Sequence, residues 1–305
     1  MTFLYPAVRN DICMGEKKMA NYCVLYNPIS ANGSGKLLSE RLKDKLKTEK
    51  LHFENITEIT DLAGYVAAIP SEEELILCGG DGTLNRFLNS ARDALNTRKL
   101  YYYPCGTGND FWNDIEKNAD DGPEDISEYI RDLPTVTVNG EKRYFINGIG
   151  YGIDGYCCEV ADKIREKGTN KAINYTTIAI KGLLFHYKPR KATVEVDGKT
   201  YEFKETWLAP GMLGRYFGGG MMPTPAQKRL NKEHTLSCML FHGVGKLRAL
   251  MIFPKLFKGE HVKYKEHCAV LTGKSITVRY DKPVALQIDG ETVLNVSEYT
   301  INAAC

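Results

Sequence analysis

Glu74-Leu75-Ile76-Leu77-Cys78-Gly79-Gly80-Asp81-Gly82-Thr83 is the stretch whose reading decides the fold. Residues 74–78 make a short apolar run with no turn former, which reads as a buried strand. The glycines of 79–82 break it. Leu84, Phe87, Leu88, Ala91 and Leu95 then share one helical stripe, with Thr83 placed to cap that helix. A buried strand, a glycine turn and an amphipathic helix form the repeating unit of a parallel sheet.

The same unit recurs on both sides. Residues 22–27 (YCVLYN) read as a strand that enters a Gly/Ser turn at 30–35, and Leu38, Leu42 and Leu46 then stripe a helix. Residues 53–57 give a second strand, with Thr60-Asp61 capping a short helix. Residues 100–103 give a fourth, ending in Pro104-Cys105-Gly106-Thr107-Gly108-Asn109-Asp110. The expected architecture is a doubly wound, mostly parallel sheet.

From about residue 135 the period shortens from 3.6 to 2. Two alternating pairs surround Asn139-Gly140 and Asp197-Gly198, both hairpin signals. Helical stretches are expected at 156–167 and 172–186, and further strands at 236–241, 275–280, 284–288 and 292–296. The second half therefore reads as an antiparallel sheet or sandwich with inserted helices. The expected division is an extension at 1–19, an α/β domain at 20–134 and a β-rich domain at 135–305, the extreme C-terminus free to pack back on the first.

Bulk properties exclude several classes. The chain has 305 residues, 43% hydrophobic and 26% charged, with a net charge of +2, so no global field directs it to nucleic acid. Its nine cysteines are odd in number and form no CxxC pair, which disfavours a disulfide framework or a zinc knuckle and fits a reducing cytoplasm. The six histidines show no metal-ligand spacing. No apolar run approaches the about 20 residues that cross a bilayer. The segment before Met19 lacks the order of a secretory signal and is expected to be poorly ordered. The composition is compatible with a homodimer.

Carboxyl ends of parallel strands share one rim, so the three glycine turns converge on one crevice. Turn glycines let backbone N–H groups approach phosphate oxygens. One such turn is ordinarily a mere connection, whereas three favour a nucleotide site. The first, SANGSGKL, misses a Walker A motif at Ser30 and Leu37, and no GxGxxG opens a helix.

At this point the residues resemble a family. Gly79–Thr83 (GGDGT) is similar to the signature shared by NAD kinases, phosphofructokinases and lipid kinases. With Tyr26-Asn27-Pro28-Ile29-Ser30 upstream and Pro104–Phe111 (PCGTGNDF) downstream it resembles the diacylglycerol kinase catalytic family, which includes sphingosine-type and ceramide-type kinases. FINGIGYGID (145–154), YFGGGMMPTP (216–225) and LQIDGE (286–291) extend the likeness over nearly the whole chain from residue 20.

The resemblance implies an ATP-dependent lipid kinase, peripheral at a cytoplasmic membrane surface, that phosphorylates a hydroxyl of diacylglycerol or a related lipid. Asn27, Pro28, Ile29, Ser30 and Ala31 resemble the first ATP loop, and Thr60 a nucleotide contact. Gly80, Asp81, Gly82, Thr83, Leu84 and Asn85 resemble the main phosphate loop, and Thr107, Asn109 and Asp110 the third. Asp81 is expected to organise Mg²⁺ and the triphosphate, since an acid beside phosphates requires a cation between them. Asp289 and Glu291 are the candidate bases for the hydroxyl proton, either one filling that role. The plainer reading of Asp289-Gly290 is a hairpin turn like Asp197-Gly198. Asp154 is read either as a neighbour of the lipid headgroup or as a buried helix cap.

Arg86 stands where many relatives carry an acid, and Ala31 where glycine is common. Residues 230–237 (LNKEHTLS) replace the DG-x-x-D turn that, with the DGE glutamate, holds a structural Mg²⁺ in bacterial relatives. The expectation is that this ion is absent and that Lys232 or His234 brings positive charge near Glu291. Residues 247–257 (LRALMIFPKLF), flanked by lysines, read equally as a membrane contact and as a core helix. Two other functions compete: a soluble-metabolite kinase of the NAD type, and a lipid-binding paralogue with weakened catalysis.

Overall fold

The computed structural model describes residues 21–46, 50–167 and 174–304. The expectation for the first 19 residues lies outside them. Strands β1 (Asn21–Tyr26), β2 (Leu51–Asn55), β3 (Glu73–Gly79), β4 (Leu100–Pro104) and β5 (Glu124–Asp125) form the first sheet, in the order β2-β1-β3-β4-β5. The first four are parallel, and β5 closes the edge antiparallel to β4. Alternation along these strands fills two cores. Cys23, Leu25, Leu75, Leu77 and Tyr102 face the helices Leu62–Ala68 and Asp81–Ala91. Val24, Ile76, Cys78 and Tyr103 face Leu42 on the other side.

Strands β6 (Thr135–Val138), β7 (Glu141–Tyr144), β8 (Gly148–Tyr151), β9 (Arg190–Val196), β10 (Lys199–Thr206), β11 (Gly211–Met212), β12 (Leu236–Phe241), β13 (Cys268–Gly273), β14 (Ser275–Ile288) and β15 (Glu291–Asn302) form a second, antiparallel sheet. The two expected strands at 275–280 and 284–288 are one long β14 with irregular register between them. Its first half pairs with β9 and its second half with β8, so the sheet divides along this strand. The core of Val194, Ile276, Leu286, Tyr299 and Ile301 sits inside that bend.

Several boundaries moved. Gly80, not Thr83, precedes the helix Asp81–Ala91, because Asp81 already has helical geometry and Thr83 lies in the first turn. The helix expected at 156–167 begins earlier, as Ile153–Glu166, since Gly152 at φ +110° makes the break. The stretch expected at 172–186 is described from 174, as Tyr175–Lys181 followed by a wider turn, Gly182–His186. Strands β8, β11 and β13 were not expected at all; the first two are short and glycine-bearing, which hides alternation.

No described helix is long and apolar enough to cross a membrane. The seven described cysteines are free thiols.

Candidate active site

The glycine turns meet as topology demands. Gly80 and Gly106 are packed so closely that a Cβ on Gly106 would overlap Gly80 Cα, which brings the β3 and β4 loops into direct contact. At the end of β1 the Asn27 amide donates to Thr83 Oγ1 at 2.8 Å, and Ser30 Oγ lies 3.4 Å from the same oxygen. Ala31 and Asn32 both take positive φ, which bends this loop toward the rim.

These loops line one end of a cleft of about 600 Å³. Ile29, Ser30, Ala31, Gly82, Thr83 and Thr107 contribute to it, with Asn27, Gly80, Asp81 and Asp110. Thr60 lines an adjoining cavity of about 550 Å³ that shares Asn27, Thr83 and Arg86 with the cleft. Besides Thr60, four expected residues do not line the cleft. Pro28 is not part of the lining. Leu84 is fully buried in the core. Asn109 closes its own turn through the Gly106 N–H and carbonyl. Asn85 is buried and donates its amide to Asp289 at 2.7 Å.

Asp81 is held on three sides. Its carboxylate accepts from the backbone N–H of Asp110 (3.0 Å) and Phe111 (2.8 Å) and from the Asn147 amide (3.0 Å). Asp110 in turn accepts from Gly219 and Gly220 N–H at 2.8 and 2.7 Å, so a first-lobe acid grips a second-lobe loop. Burial, then the charge of Asp81, pushes the Asp110 carboxyl up to about 7. Asp81 and Asp110, side by side at these loops, are a donor set suited to a hard cation such as Mg²⁺, and Asp81 Oδ2 keeps acceptor capacity for it.

Asp289 sits at the tip of the β14–β15 hairpin, at φ +45°. One oxygen accepts from Asn147 and Gly148 N–H (2.9 and 3.0 Å), the other from Ile146 N–H (2.6 Å) and Asn85. Burial raises its carboxyl to about 6 against these donors, and the charge of Asp81 adds to the rise. Glu291 is tied up differently: Arg86 Nε reaches it at 2.8 Å and Arg143 at 3.5 Å. This corrects the expectation for Lys232 and His234. Both line a separate pocket with Glu128, Tyr129 and the C-terminal Ala303, because residues 228–235 close on themselves around Asn231.

Asp154 also faces the cleft, in the first turn of Ile153–Glu166. Burial raises it to about 6, and its Oδ2 accepts no hydrogen bond. Gly150 leaves the space that this carboxylate fills. Beyond Asp154 the lining turns apolar, through Ile153, Ala179, Leu208, Phe217, Met221 and Phe253. One continuous hollow thus runs from polar backbone loops, past a row of acids, to an apolar recess.

Sequence reading missed Asn147, which contacts both Asp81 and Asp289 although it lies inside the quoted FINGIG stretch. It also missed Arg229 and Asp114, whose partners are far away in the chain, and Arg143, which reaches the distant Glu291; no motif marks them.

Comparison with known proteins bears on the family and the fold. A family model described as the diacylglycerol kinase catalytic domain matches residues 21–138. A second, described as the YegS C-terminal NAD kinase beta sandwich-like domain, matches residues 147–300. The diacylglycerol kinase of Bacillus subtilis is 26% identical over 285 residues, spanning 88% of each chain. That of Staphylococcus epidermidis is 28% identical over 285 residues, spanning 88% of this chain and 84% of its own. A crystal structure of a diacylglycerol kinase from Bacillus anthracis superposes with a TM-score of 0.61 at 21% identity, covering 95% of this chain and 96% of that one. With the two matches lying end to end across both lobes, the chain belongs to the diacylglycerol kinase catalytic family.

Proposed function

We propose that this kinase transfers the γ-phosphoryl group of Mg·ATP to the hydroxyl of diacylglycerol or a close analogue, at the face of a membrane. The observation that carries the reading is the single cleft with phosphate-type loops at one end and an apolar recess at the other. A soluble nucleotide acceptor would have no use for Phe217, Met221 and Phe253.

In this reading the triphosphate lies on the loops at 27–31, 80–85 and 107–110, and Thr60 reaches the nucleoside from the adjoining cavity. Asp81, with Asp110 beside it, would hold Mg²⁺, which supplies neutralisation of the phosphate charge. The Asp154 carboxylate, which lines the cleft, accepts a hydrogen bond from the lipid hydroxyl and orients it. Asp289 takes the proton, its raised pKa bringing it nearer the working pH. A proton arriving there displaces one of four donors, and the Asn85 amide, a side chain, is the one able to turn away. Glu291, paired with two arginines, shapes the field around it.

The acyl chains enter from the recess. Next to its lining residues Ala179 and Phe253 lie the turn Gly182–His186 and the helix Lys246–Ile252, which are joined by Lys246 Nζ donating to the Leu184 carbonyl at 2.7 Å. Leu247, Met251 and Phe185 are 77, 73 and 72% exposed there, beside Lys181, Arg248 and Lys255, a composition that suits a headgroup boundary.

Labelled ATP with phosphatidylcholine vesicles containing diacylglycerol tests the proposal. Lipid phosphate should form with the native protein and fall at least about 1,000-fold with Asp289→Asn. Phosphorylation of NAD without vesicles would favour the metabolite kinase, and no product from any acceptor would favour a binding protein.

A further inference from the structure

We propose that the Arg229 guanidinium is a built-in cation that sets the orientation of Asn147, and through it Asp81 and Asp289, in the role that a structural divalent ion would otherwise fill. The proposal rests on the kinase reading for its turnover arm alone.

The ligands for such an ion are missing. In residues 230–237, Leu230 and Lys232 offer no carboxylate, Glu233 is exposed, and Asn231 spends its side chain on the Lys228 and Thr235 backbone. Glu291 holds an arginine on each oxygen. The residues present do not fit a structural cation here.

Positive charge is nonetheless present, one residue before this segment. The Arg229 side chain is 4% exposed. Its Nε donates to Asp114 Oδ2 at 2.9 Å, one terminal nitrogen to the Ile146 carbonyl, and the other to Asn147 Oδ1 at 2.9 Å. The planar group also lies 4.8 Å over the Phe111 ring. Asp114, 2% exposed, takes its second charge-assisted bond from Arg215. Gly214 leaves room for this pair, since a Cβ there would meet both Asp114 and Arg229. A desolvated guanidinium with three different oxygen partners is costly to build unless every donor is placed.

The consequence lies in the Asn147 amide. Alone, its oxygen and nitrogen could exchange places by a half turn. A cation facing Oδ1 and the Asp81 anion facing Nδ2 permit one orientation. The backbone N–H of the same residue binds Asp289. Arg229 is therefore a positioning residue whose effect reaches both acids without touching substrate.

Arg229→Ala, assayed with ATP and diacylglycerol vesicles, should lose about 100-fold in kcat with the KM for ATP within about threefold. Guanidinium ion at tens of millimolar should restore at least about tenfold of this, and urea at the same concentration should not. Native turnover in the variant, or a loss that guanidinium leaves unchanged in a protein of native melting temperature, would overturn the proposal. If the alanine variant does not fold, Arg229→Lys keeps a charge for Asp114 but cannot span three partners. A kcat loss with unchanged KM there supports the proposal, and native turnover sinks it. A third arm needs no activity. Chelator-treated Asp81→Asn, which lacks the candidate Mg²⁺ ligand of the cleft, should without nucleotide change its melting temperature by less than about 2 °C when Mg²⁺ is returned, and a larger rise would assign the role to the ion. A native protein that phosphorylates no lipid would end the functional reading while leaving this last arm to decide the inference.

Discussion

Asp197 and Asp289 open the same two-residue hairpin, each at positive φ and each followed by a glycine at positive φ. What separates them is the ground above the turn. Asp197 is exposed and accepts from the N–H groups of Lys274 and Ser275. Asp289 is buried under the start of β8 and accepts four donors, one from the other lobe. Sequence could specify both backbones and neither environment, because the donors to Asp289 come from about 140 and 200 positions away. Two variants use the contrast. Asp289→Asn puts an amide where four donors already point, so it should lower stability by about 2–4 kcal/mol as well as turnover, measured by denaturant unfolding and vesicle assay. Asp154→Asn removes a buried charge whose Oδ2 has no donor, so stability at pH 8 should stay level or rise. Its kcat/KM for lipid should fall at least about tenfold with the KM for ATP unchanged. A large stability loss in Asp154→Asn would make that acid a structural cap, the plainer of the two readings open from sequence.

Among elements, those with local periodicity were legible and those defined by partners were not. The parallel strands, the glycine turns and the first-lobe helices follow from alternation and stripes. Strands β8 and β11 exist because β14 and β12 offer edges for them, and nothing within Gly148–Tyr151 or Gly211–Met212 reveals it. The stretch at 247–257 carried two readings, and the core reading holds for part of it. Ala249, Ile252, Phe253 and Leu256 enter the core, while Leu247 and Met251 project outward beside Phe185 from a separate segment. If those outer residues meet lipid, Leu247→Ser with Met251→Ser forfeits apolar burial worth about 1.5 kcal/mol or more per side chain. Vesicle affinity, measured by co-sedimentation, should drop about 100-fold. Turnover of a short-chain diacylglycerol presented without vesicles should remain near native, because neither residue lines the cleft. Equal loss on both substrates would mean that the helix supports the recess and does not dock.

At the scale of the whole molecule, acids of one lobe accept hydrogen bonds from the other, so charge and closure are one problem. Asp110 holds Gly219 and Gly220 across the cleft, and Asp289 holds the Asn85 amide the opposite way. The carboxyls of Asp110, Asp154 and Asp289 all lie above their ordinary value, at about 7, 6 and 6, each mainly through burial. The folded protein then binds more protons than the unfolded chain between about pH 4 and 7. The sign follows: for these three groups stability is greatest below their unfolded pKa and is lost as pH rises through their folded pKa, the reverse of a salt-bridged acid. Without nucleotide, the melting temperature should therefore fall from pH 5.5 toward pH 8. Asp110→Asn should flatten the part of this slope near pH 7. Mg·ATP should flatten it too, if the cation lies between Asp81 and Asp110, because a positive charge there favours the ionised form of Asp110. A slope near pH 7 that Asp110→Asn leaves intact would show that this acid is already ionised in the free protein. The grip on Gly219 and Gly220 would then be charge-assisted from the outset, needing no metal to complete it.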